Sequence, residues 1–187
     1  MSNARNQILQ TTCDLLEKQG YNGTGLNEIV KQSGAPKGSL YYYFPEGKEQ
    51  ITAEAVLQSG QKTAERIRAG LAGTGSSAAN ALHDFLLLVA EHVDSSGFAA
   101  GSPLTAAAME TATTSERINE ACRSAYSMLQ NAFRAKLLES GYSPSRAEEL
   151  ATFVTASVEG GIILSRTYHT ADPLRTVAKQ LKVLLSL

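Results

Sequence analysis

The stretch "EIVKQSGAPKGSLYYYFPEGKEQ", Glu28 to Gln50, combines a glycine-proline turn, a lysine beside glycine and serine, and three consecutive tyrosines. Leu26, Ile29 and Val30 mark a short helix ending at Ser33-Gly34, and Lys37 to Phe44 forms another, with Pro36 suited to its start. Gly34 can take the positive φ that a turn between two helices requires. The pair has helix-turn-helix dimensions, although an αα-hairpin used only for packing has the same spacing. Tyr41, Tyr42 and Tyr43 cannot all face inward around a helix. At least one ring looks out.

Residue types favour a nucleic-acid reading of that face. The second helix of such a motif sends its N-terminal residues to base edges in the major groove. Gly38 and Ser39 leave little bulk there, and Lys37 can reach guanine O6/N7 or a phosphate. Leu40 and Phe44, four apart, can point into the core, so the tyrosines fan around the remaining surface with hydroxyls able to bond phosphate oxygen. Thr24 at the expected start of the preceding helix, Asn27 within it and Lys48 at the start of the next helix complete the candidate set. Lys48 in a first turn opposes the helix dipole, which an anionic partner explains better than helix stability does.

Total charge gives this reading no help. The chain carries a net charge of −1. In the first fifty residues Arg5, Lys18, Lys31, Lys37 and Lys48 are matched by Asp14, Glu17, Glu28, Glu46 and Glu49. DNA binding must therefore rest on where the charges sit.

Working outward, every periodic segment reads as helix. Ile8, Leu9, Thr12, Leu15 and Leu16 recur at helical spacing until Gly20, and a longer helix runs from Lys48 to Gly70. "GLAGTGSSAAN", with Gly70, Gly73 and Gly75, marks a domain boundary near Leu71–Ser76. Beyond it, Leu82, Phe85, Leu86 and Val89 form a helix, and the loop "SGFAAGSP" leads to Ser102-Pro103 as a helix start. Ser115 caps a helix striped by Ile118, Cys122, Ala125, Leu129, Phe133 and Leu137, which Gly141 ends. Ser143-Pro144 and Asp172-Pro173 open two more. The fold class expected is all-α, with about nine helices.

Several function classes drop out. There is no apolar run of about 18 residues to cross a membrane and no apolar signal segment, so a cytoplasmic protein is expected. Cys13 and Cys122 read as small buried residues of a reduced protein. His83, Asp84, Glu91 and His92 cluster on one helix, but no two histidines stand at i,i+4 spacing. With no phosphate-binding glycine loop, nucleophile elbow or Cys-x-x-Cys, neither a metal, a cofactor nor an enzymatic activity is expected.

Residues 5–55 resemble the N-terminal domain of the TetR family of bacterial transcriptional regulators, through "EKQGY", "TGLNEIVKQSGAPKGSLYYYF" and the basic residue opening the fourth helix. "FPEGKEQ" carries one residue more than the commonest family spacing, and Val30 stands where a small alanine is usual. "GSPLTAAAMETATTSE" and "VEGGIILSRTYHTADPL" are similar to the LmrA/YxaF-like branch of that family.

The resemblance implies a helix-turn-helix domain over residues 1–48, a linking helix over 48–70 and an effector-binding and dimerisation domain over 71–187. It implies a homodimeric repressor on a pseudo-palindromic double-stranded DNA operator, released by a small apolar or aromatic effector. The last two helices would pair with their copies through Ala151, Thr155, Val158 and Ile162 and through Val177, Leu181 and Leu184, aided by the small Ser157, Gly160 and Gly161. A pocket between the fifth and eighth helices would be lined by Phe85, Leu88, His92, Phe98, Leu104, Met109, Cys122, Tyr126 and Phe133. His92, Glu110 and Arg123 would supply its polar contacts. An all-helical carrier or enzyme with a purely structural N-terminal hairpin is the alternative.

Overall fold

Gly20 decides how the N-terminal helix ends. The computed structural model describes residues 3–73, 77–99 and 101–186, and in it α1 (Asn3–Gly23) breaks at Gly20, with φ 73° and ψ −177°. A side chain rarely adopts that φ, so glycine suits the site. The chain then makes one further turn before α2 (Leu26–Ser33), whose end is closed by Gly34 in the left-handed conformation, φ 65°. Pro36 caps α3 (Lys37–Tyr43), and α4 (Lys48–Leu71) follows a turn through Gly47.

The remaining helices are α5 (Ala78–Ser95), α6 (Pro103–Thr111), α7 (Glu116–Glu139), α8 (Pro144–Tyr168) and α9 (Asp172–Leu184). No strand occurs among the described residues. The expected all-α fold with about nine helices is therefore observed. The hydroxyls of Ser102, Ser115 and Ser143 each accept a hydrogen bond from the backbone N–H three residues on, at 3.3 to 3.4 Å, as the sequence pattern predicts. At α9 the cap shifts: Asp172 is already helical, its predecessor Ala171 is the N-cap, and the Asp172 N–H donates to Thr170 Oγ1 at 3.3 Å. Thr74, Gly75 and Ser76 of the predicted boundary lie outside the described residues.

Two compact units form. One contains the chain through Lys62 together with Ser102–Tyr126; the other contains Thr63–Gly101 and the chain from Ser127 onward. Both α4 and α7 pass from one unit into the other, and α6 belongs with the N-terminal helices. The division falls elsewhere than the boundary near Leu71–Ser76 expected from the sequence.

In the first unit, Ile8, Leu15, Ile29, Leu40, Phe44 and Ile51 make a common core, and α6 packs along α1. Arg5 pairs with Glu54 and stands 5.5 Å over the Phe44 ring, so this arginine is committed to tying α1 to α4. Burial pushes the Cys13 thiol up to about 12 and the Cys122 thiol up to about 11, which leaves both in the unreactive neutral form.

In the second unit, α9 packs against α5 and α8. Gly161 makes the α8–α9 approach possible: a Cβ there would meet Leu174 Cδ2 at 2.9 Å. Lys136, almost wholly buried, donates to the Gly73 carbonyl at 3.3 Å.

Candidate nucleic-acid interface

The α3 helix has two sides of opposite character. Leu40 and the capping Phe44 are fully buried, which fixes the helix on α1, α2 and α4. Lys37 and Gly38 are exposed on its first turn, with Ser39 half-buried beside them. A Cβ built on Gly38 would meet nothing within 4 Å, so the backbone there lies open to a ligand surface. The three tyrosines divide: Tyr42 is 79% exposed, Tyr41 48%, and Tyr43 packs against the core. Tyr43 stacks edge-on with Tyr42 at 5.0 Å and with Phe44 at 6.4 Å, so the inward ring holds the outward one in position.

The set assembled from sequence is not wholly gathered on this face. Asn27 is exposed on α2. Thr24 is only 1% exposed and donates its hydroxyl to the Gly20 carbonyl at 2.7 Å, serving the broken end of α1. The helix after it begins two residues later, with Gly25 as N-cap. Lys48 is half-buried and its Nζ lies 4.1 Å over the ring of Tyr21. Burial lowers the Lys48 pKa, and the nearby Glu110 carboxylate raises it. Burial, then the Glu49 charge, push the Tyr21 hydroxyl up. The ring beneath Lys48 and the carboxylate that raises its pKa belong to residues that the sequence reading left outside the interface.

Local neutrality also acquires a structural basis. Glu46 is paired with Arg117, which comes from α7, and Glu28 accepts from Gln19 and Gln32 at 2.8 and 3.0 Å. Lys31 and Lys37 are exposed.

The second unit contains a cavity of about 390 Å³ lined by Thr63, Arg66, Ile67, Phe85, Leu88, Val89, His92, Val93, Gly101 and Ile162. Of the predicted lining, Phe85, Leu88 and His92 are there. Phe133 lies behind Phe85, with ring centroids 6.3 Å apart, and Phe98 stacks on His169 at 5.6 Å. Leu104 and Met109 belong to the other unit with α6, which packs on α1, and Cys122 and Tyr126 belong to it with the first part of α7. Glu110 goes with them, and Arg123 is engaged with Glu116 at 2.6 Å. Arg66 was missed: it sits on the long fourth helix, where periodicity gave no reason to look for a pocket.

The predicted pairing stripes take part in packing within the protomer. Ala151, Thr155 and Leu181 are buried within the protomer, and Val158, Ile162, Val177 and Leu184 are half-buried. They form the inner faces of α8 and α9. The outer face of α8 carries exposed Phe153, Ile163, Leu164 and Tyr168, with Val183 exposed on α9. Gly160 lies on that outer face with open space where a Cβ would stand. Among the described residues no helix is long and apolar enough to cross a membrane.

Comparison with known proteins decides the family. The family described as "Bacterial regulatory proteins, tetR family" matches residues 8–55, and "Transcriptional regulator LmrA/YxaF-like, C-terminal domain" matches residues 78–180. The chain belongs to the TetR family. It is 40% identical over 182 residues to the HTH-type transcriptional regulator LmrA of Bacillus subtilis, covering 97% of this chain and 96% of that protein. It is 38% identical over 182 residues to the uncharacterized HTH-type transcriptional regulator YxaF of the same organism, covering 97% and 95%.

A TetR transcriptional regulator from Legionella pneumophila shares the fold, with a TM-score of 0.84 at 20% identity over 99% of this chain and 98% of that one. The protein is thus a DNA-binding transcriptional regulator of the TetR family and not an enzyme.

Proposed function

We propose that this TetR-family chain is a ligand-responsive repressor that binds a pseudo-palindromic operator as a homodimer in the cytoplasm. The observation that carries the reading is the outward side of α3, where Lys37, Tyr41 and Tyr42 stand exposed on a helix anchored by Leu40 and Phe44. Lys37 reads a guanine edge or a phosphate; the tyrosine hydroxyls bond phosphates and fix register. Residues 1–48 read DNA, α4 links, and residues 71–187 bind effector and dimerise.

The dimer forms through the outer face of α8, where Phe153, Ile163, Leu164 and Tyr168 await an apolar partner and Gly160 lets a second helix approach. Two copies of α3 then enter successive major grooves about 34 Å apart. The effector is an apolar or aromatic molecule held in the 390 Å³ cavity, with Arg66 and His92 as its polar contacts. It releases DNA by binding the weaker-binding conformation more tightly, a coupling of about 1–3 kcal/mol per site.

The test is selection from a random double-stranded DNA pool by the purified protein at moderate salt, followed by sequencing of what is retained. An enriched pseudo-palindrome is expected. A folded dimer that enriches nothing overturns direct readout by the free protein.

A further inference from the structure

Three consecutive residues at the end of α1 gather charged tips from two other helices. Glu110, near the end of α6, accepts a hydrogen bond from the Asn22 N–H at 2.8 Å. Its carboxylate lies so close over Gly20 that a Cβ there would collide with Oε1. Between them, the Tyr21 ring carries the Lys48 ammonium at 4.1 Å. The charges that face Lys48 and Tyr21 are Glu110 from α6 and Glu49 from α4. A second tie joins the same region, Arg117 of α7 to Glu46.

We propose that Glu110 is a positioning residue for DNA binding: its carboxylate holds the Lys48 ammonium on Tyr21 and off the DNA-facing surface. The proposal rests on the DNA-binding reading of this unit. A lysine is a point charge on a flexible four-carbon stem, so one held inward and one reaching a phosphate differ by a few torsions. Only the second releases a counterion when DNA binds, which steepens the dependence of log K on log salt by about 0.9 per phosphate. Because Glu110 comes from α6, outside the helix-turn-helix, that segment sets how many phosphates the first unit engages. This accounts for a lysine that opposes the α4 dipole and yet has its charge turned toward α1.

The discriminating variant is Glu110→Gln, which keeps an acceptor for the Asn22 N–H while removing the charge. Wild type, Glu110→Gln, Lys48→Met and the double variant are titrated with the selected operator and with an unrelated duplex across a salt series. Glu110→Gln is expected to bind both duplexes about two- to fivefold tighter, the range of one solvent-screened charge–charge interaction. Its salt slope should steepen by about 0.9, and the gain should vanish in the Lys48→Met background. In the DNA-free protein, the Lys48 ε-methylene proton resonances should move downfield as the Tyr21 ring-current shift is lost.

Unchanged or weaker binding by folded Glu110→Gln overturns the proposal. So does equal tightening in the Lys48→Met background, which would reflect bare removal of a negative charge. Wild-type protein that binds no duplex refutes the DNA reading and the proposal with it. Wild-type binding with an indifferent Glu110→Gln refutes the proposal alone.

Discussion

The short helices α3 and α6 invite comparison. Each turns one edge inward, Leu40 in α3 and Leu104, Ala107 and Thr111 in α6, and each leaves a large side chain in solvent. In α3 the outward residues are tyrosines with a lysine beside them; in α6 the outward residue is Met109, 76% exposed, with no polar handle. The charged residue of α6, Glu110, is turned onto α1 instead. Exposure alone therefore carries little functional meaning. What separates the helices is whether the outward groups can bond a partner once water leaves.

The largest expected effects lie on the inward edges, where the two helices should behave alike. Leu40→Ala and Leu104→Ala should each destabilise the folded chain by about 2–5 kcal/mol, read as a lower urea midpoint at unchanged slope. A loss near zero at either position breaks the claim that both helices are fixed by a single buried edge.

The outward sides should then diverge. Lys37→Ala is expected to weaken operator binding by about 1–3 kcal/mol and to relax preference at one base position, measured by repeating the pool selection with the variant. Tyr42→Phe and Tyr41→Phe should each weaken binding to every duplex by about 0.5–1.5 kcal/mol, with sequence preference unchanged. Met109→Ala should leave both stability and DNA affinity within about 0.5 kcal/mol of wild type. Equal effects of Lys37→Ala and Met109→Ala would erase the distinction.

The same contrast explains what the sequence made legible. The turn at Gly34, the fixed start of α3 and the serine caps are local, because each partner lies within about four residues. Helix number and the outward tyrosines follow from such signals. The position of α6 does not: its face is apolar enough to line a pocket or to pack on α1, and only long-range packing chooses. That choice placed Leu104, Met109 and Glu110 in the first unit.

Thr24 and Lys48 make contacts within the protein that local sequence does not reveal, for a related reason. Their types suit phosphate, but the break at Gly20 gives Thr24 a carbonyl to bond and brings the Tyr21 ring beneath Lys48. Arg66 was overlooked because one exposed cation on a long helix has no local signature.

Two adjacent glycines of α8 meet different surroundings. Gly161 faces Leu174 and Val177, and an added methyl would meet Leu174 Cδ2 at 2.9 Å. Gly161→Ala should therefore cost about 1–3 kcal/mol of protomer stability by overpacking, independent of protein concentration. Gly160 has open space at the same point, so within one protomer Gly160→Ala only improves helix propensity, by about 0.5–1 kcal/mol. If a second α8 packs closely on this outer face, that gain appears only at dilutions where monomer predominates, and the dimer dissociation constant rises. Sedimentation and thermal unfolding over a concentration series read both terms. A Gly160→Ala protein that is stabilised equally at all concentrations, with dimerisation unchanged, would move the pairing surface away from Gly160. The inward packing of Gly161 would be untouched, because that contact is made within a single chain.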